Sequence, residues 1–138
     1  MIKRFSAGIA LVSFFALLAS GCAGQGHRDF NNASNLIGRW TGQQNGFEMG
    51  KPVTKDIKIE INEAKGNAFT GYKRGSWLPD GQKELINGVI GDDGSIYISD
   101  EDGYTVGKIK SNGDIWIVYL EASKDDGSAK DSIIQKID

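Results

Sequence analysis

The side chains in this chain that could carry chemistry are few. Cys22 is the only cysteine and His27 the only histidine among 138 residues. A serine or cysteine nucleophile needs a base within hydrogen-bond reach. His27 lies in a small, polar stretch near the start, so the residues beyond it offer no Ser-His or Cys-His pair. There is no glycine-rich phosphate loop and no Cys/His metal spacing. The run DDGSIYISDEDG, residues 92–103, is acid-rich but departs from a calcium loop: Gly94 comes too early and no glutamate closes position twelve. Asp92, Asp93, Asp100, Glu101, Asp102, Asp125 and Asp126 fall on expected turns, where short carboxylates serve backbone geometry on a solvated surface. The expectation is a non-catalytic protein with no cofactor and no metal.

Aromatic residues are the stronger signal. Trp40, Tyr72, Trp77, Tyr97, Tyr104, Trp116 and Tyr119 are spread along the chain. A slender core needs such large side chains, and those at an open end can hold a ligand. Trp77, just before the turn tripeptide Pro79-Asp80-Gly81, stands at the end of an expected strand. Trp40, Tyr72 and Trp77 are therefore the candidate ligand-binding residues. By alternation Tyr72 and Arg74 share one face of their strand and Trp77 takes the other, so a bulge is needed to bring all three into one pocket. In IWIVYLE, residues 115–121, both faces are apolar. A barrel wall should have one wet face, so Ile115, Ile117 and Tyr119 are expected to form an outer interface with a second copy or another protein.

The elements that position these residues read as strands. In KDIKIEIN, residues 55–62, Ile57, Ile59 and Ile61 fall on one face and Asp56, Lys58 and Glu60 on the other, the pattern of a half-buried strand. Asp or Asn before Gly at 93–94, 102–103, 112–113 and 126–127 suits tight hairpins. The strands are expected at 36–43, 55–62, 67–77, 83–91, 94–99, 103–110, 114–121 and 129–137. Longer links are expected at GFEMGKPVT and near Pro79. Short links favour pairing between sequence neighbours over the longer crossings of a Greek-key sandwich. The predicted fold is all-β, an eight-stranded antiparallel up-and-down barrel, whose interior is wide enough for side chains or one small ligand.

The first residues read as an address. Lys3 and Arg4 precede an uncharged apolar run at 5–19, too short for a spanning helix of about 20 residues. Positive n-region, short apolar core and small residues before a cut site form a secretory signal. Its end, Leu18-Ala19-Ser20-Gly21-Cys22, resembles the lipobox of bacterial lipoproteins. That resemblance implies a lipid on the Cys22 sulfur, cleavage before Cys22 and a membrane anchor of several acyl chains. Ala23, in place of Asp, then favours the outer membrane, facing the periplasm, in a cell with two membranes. The organisation is a signal peptide at 1–21, a lipidated, polar tether at 22–35 and the barrel domain at 36–138.

On removal of residues 1–21, Lys plus Arg falls from 16 to 14 while Asp plus Glu stays at 18, a formal charge of −4. Such a balance does not suit nucleic acid. One domain with a modest core fits this length and composition.

A second resemblance lies in the domain. GRWTG, residues 38–42, and GNAFTGYKRG, residues 66–75, are similar to the first and third strands of calycin-type barrels, the lipocalins and avidins. The resemblance implies that Trp40 plugs one barrel end against a basic residue, Lys136 or Arg39. It also implies a small hydrophobic or amphipathic ligand in the mouth. The contacts that avidins make with biotin are not matched, so biotin binding does not carry over.

Overall fold

The computed structural model describes residues 32–125 and 127–138. Cys22 and the expected signal and tether up to residue 31 lie outside the described residues. A 3-10 helix, Ala33–Leu36, leads into eight strands: β1 Gly38–Glu48, β2 Lys51–Lys65, β3 Ala68–Gly75, β4 Glu84–Ile90, β5 Ser95–Ser99, β6 Tyr104–Ile109, β7 Ile115–Glu121 and β8 Ser128–Lys136. Every strand pairs antiparallel with its sequence neighbour, and β1 closes on β8. The result is a closed eight-stranded up-and-down barrel, consistent with a calycin-like fold.

Alternation builds the interior. Ile57, Ile59 and Ile61 of β2 point inward as their spacing requires, and Ile86, Ile90, Ile96, Ile115, Ile117 and Ile134 complete an isoleucine-rich core. Such branched residues suit a pleated, half-buried wall. One register shift, between Ile61 and Glu63, interrupts the β2–β3 ladder.

Trp40 sits at one end of this core, buried, and its Nε1–H donates to the Leu36 carbonyl at 2.9 Å. The 3-10 helix lies beneath it, with Ala33 and Leu36 buried in the same cluster. Lys136 Nζ stands 5.7 Å from the Trp40 ring centroid and donates to the Asn35 carbonyl. Arg39 instead pairs with Asp138. Of the two basic residues proposed to cover the tryptophan, Lys136 does so.

The first hairpin differs from expectation. GFEMGKPVT is not a long link. β1 and β2 run on to a two-residue turn at Met49-Gly50, with φ of 50° and 72°. Two successive positive φ values suit the right-handed twist of the flanking strands. The sequence hid these strand halves because Gln44 and Glu48 face inward there, with Phe47 exposed on the outside. Hydrophobic-in alternation is inverted, so the pattern reads as loop.

Candidate functional site

Beyond the isoleucine layer the barrel interior turns polar. The same inward positions now carry Gln44 and Glu48 from β1, Lys55 from β2, Lys73 from β3, Glu84 from β4, Tyr119 and Glu121 from β7, and Lys130 from β8. With Trp77 and Asp102 they enclose a cavity of about 130 Å³ at the end of the barrel opposite Trp40.

Charges in this mouth are paired within a low-exposure site. Lys73 Nζ donates to Asp100 Oδ2 at 2.5 Å and lies 2.8 Å from Glu84 Oε2. The Asp100 side chain is 1 % exposed. Its second oxygen accepts from the Asp102 and Gly103 backbone N–H groups. Asp100 is thus a correction to the surface-turn reading: it shapes a turn and anchors a buried lysine together. Across the ring, Lys55 and Lys130 both donate to Glu48 Oε2, at 2.5 and 3.1 Å. Tyr119 Oη and Ser128 Oγ donate to Glu121 Oε2. Burial first, then the Asp100 and Glu121 carboxylates, push the Tyr119 phenol well above its ordinary range, so it stays a donor.

Trp77 covers the mouth. It follows β3 and folds back, with its indole over Gly75; a Cβ at Gly75 would collide with the ring. Nζ atoms of Lys55, Lys73 and Lys130 lie 5.9, 5.7 and 5.7 Å from its centroid, within cation–π range. Its Nε1–H donates to Glu84 Oε1 at 3.3 Å.

The Gln44 amide stands out in this network. Its residue is 2 % exposed and it lines the cavity. An amide in a cavity wall offers both a donor and an acceptor to whatever occupies the space.

Glu48 carries a pH dependence. The Lys55 hydrogen bond chiefly, and that of Lys130, hold its carboxyl below the ordinary glutamate value of 4.5. A depressed acid stabilises the fold at pH above that ordinary value and loses the contribution as pH falls through the lowered one. Melting temperature is therefore expected to fall on acidification from pH 5, and to fall less steeply in Glu48→Gln. Parallel acid limbs for the two proteins would contradict this.

The expected ligand residues are dispersed. Trp77 lines the mouth, Trp40 seals the other end, and Tyr72 lies on the outside with Lys83 Nζ 3.4 Å from its ring centroid. No single pocket brings the three together. The interface assignment on β7 is corrected. Ile115, Ile117 and Tyr119 point into the barrel and are buried, whereas Trp116 and Leu120 are the exposed residues of that strand. Alternation separated the two faces but both were apolar, so nothing local marked which was inside. Sequence reasoning also missed Gln44, Glu48, Lys73 and Lys130, because a charged or amide side chain on a strand defaults to the wet face. Among the described residues no group of three or more Asp, Glu, His or Cys is arranged to hold a metal ion.

Neither the protein-family models nor the curated proteins contain a match to this chain.

Proposed function

We propose that this is a lipid-anchored bacterial envelope protein whose barrel binds a small molecule in its mouth without catalysis. The observation that carries the reading is the 130 Å³ cavity, lined by charged groups and the Gln44 amide. Filled isoleucine layers beneath it leave the ligand's polar part to the mouth, so an amphipathic ligand would enter headgroup first. The lipobox-like stretch ending at Cys22 supports an anchor, in the outer membrane where the cell has two. The likeness of GRWTG to calycin barrels supports the ligand-holding habit.

Native mass spectrometry of the purified full chain is expected to show a bound small molecule. Gln44→Leu should weaken its retention about tenfold, the loss of one hydrogen bond of about 1–1.5 kcal/mol, while the melting transition persists. A chain that carries nothing and takes up nothing from a cell extract would defeat the binding reading. For the anchor, Cys22→Ser should leave the membrane fraction; its retention there would defeat that part.

A specific observation favours a second reading, self-association through the barrel's outer wall. Val89, Tyr97, Val106 and Val118 lie opposite one another on β4, β5, β6 and β7, forming an apolar row on the outside, and Tyr104, Trp116 and Leu120 extend it. An exposed apolar patch of this breadth marks an interface. Lys108 beside Trp116 and Asp131 beside Val118 flank it with both signs of charge, as suits a surface meeting its own copy. Light scattering should give a dimer that Val106→Lys dissociates; a wild-type monomer would remove this reading.

A further inference from the structure

Charge in the mouth is segregated by strand. On one wall, built from β8, β1 and β2, two lysines, Lys130 and Lys55, share the single carboxylate of Glu48. On the other, built from β3 to β7, Lys73 faces Glu84 and Asp100, and Glu121 and Asp102 add two carboxylates without a lysine partner. One wall is one charge positive and the other three charges negative. The closed strand order places the end of β5, with Asp100, across the ring from β1, with Glu48.

We propose that the ligand is a small zwitterion bearing an amine and a carboxylate, held between the two walls. This rests on the mouth being a binding site. The carboxylate lies against Lys55 and Lys130, whose shared Glu48 leaves one positive charge uncompensated, and accepts from the Gln44 amide. The ammonium lies against the Asp102 and Glu121 carboxylates. The Trp77 indole closes over the top. Size agrees: a buried cavity of about 150 Å³ takes a benzene-sized molecule, and a short amino acid is of that order against the 130 Å³ here. A ligand with one charge answers only one of the two walls. The internal ion pairs leave one lysine in excess over Glu48 on one wall and Glu121 and Asp102 without a lysine on the other.

The test is calorimetry on the full chain in detergent with three probes of one size: β-alanine, propionate and propylamine. β-Alanine is expected to bind at least about tenfold tighter than either singly charged probe. Asp102→Asn, at an exposed rim position, should bring its affinity toward that of propionate. Lys55→Gln, at a partly exposed position, should bring it toward that of propylamine. Propionate or propylamine matching β-alanine, or no binding by β-alanine at all, overturns the zwitterion assignment. The mouth reading falls separately, only if the chain also retains no molecule in the native mass spectrum.

Discussion

Trp40→Ala is expected to lower the stability of the barrel by about 3–5 kcal/mol, the range for emptying a buried tryptophan site. The indole is 3 % exposed, it donates to the Leu36 carbonyl, and it is the surface on which the 3-10 helix rests. Its removal opens a void and also orphans an acceptor, and Lys136 loses the ring it covers. Trp40→Phe retains most of the packing and loses the hydrogen bond, so a cost nearer about 1–2 kcal/mol is expected. Urea unfolding at constant m-value measures both. A loss under about 1 kcal/mol for the alanine variant would show that the plug carries no weight.

Lys73→Met is expected to cost a similar amount, about 3–5 kcal/mol, by a different route. Among the described residues the ammonium is the one cation paired with the Asp100 carboxylate, and it also serves Glu84. Methionine fits the space but leaves two low-exposure carboxylates facing each other. Removing the charges together should undo the damage. Lys73→Met/Glu84→Gln/Asp100→Asn keeps the turn-capping oxygen of residue 100 and is expected to regain most of the lost stability, since replacing a whole buried ionic group is often neutral. If the triple variant is no better than the single one, the loss comes from packing and not from stranded charge.

These two sites also mark what could be read in advance. The plug role of Trp40 came from the likeness of Gly38-Arg39-Trp40-Thr41-Gly42 to calycin-type barrels, not from its own strand's pattern. Ile57, Ile59 and Ile61 were legible from plain alternation, and eight strands with short links implied closure. Lys73 was not legible. Its flanking residues, Tyr72 and Arg74, are the outward ones, and local sequence contains no sign that a lysine between them is buried. What buries it is Asp100 and Glu84, which are distant in sequence and converge only when the sheet closes. Gln44 and Glu48 were hidden likewise, and with them the true length of β1 and β2. Around β7 the difficulty was the reverse: Trp116, Val118 and Leu120 are as apolar as Ile115, Ile117 and Tyr119, so the strand was found and its inside and outside exchanged.

The closure of the barrel bears on the order in which it assembles. Seven of its eight seams join consecutive strands, which can zip from short turns such as Met49-Gly50 and 110–113. The eighth joins the two ends of the domain, Trp40 opposite Lys136 and Glu48 opposite Ser128. Bringing distant segments together costs chain entropy that rises with the logarithm of the intervening length, and non-local pairing of this kind slows folding. The β1–β8 seam is therefore the late event, and it finishes both ends of the barrel at once: it sets Lys136 over Trp40 and brings Lys130 to Glu48. An incompletely folded chain would lack the hydrophobic plug and half of the mouth's positive wall together, so the charged cavity exists only in molecules whose folding has gone to completion.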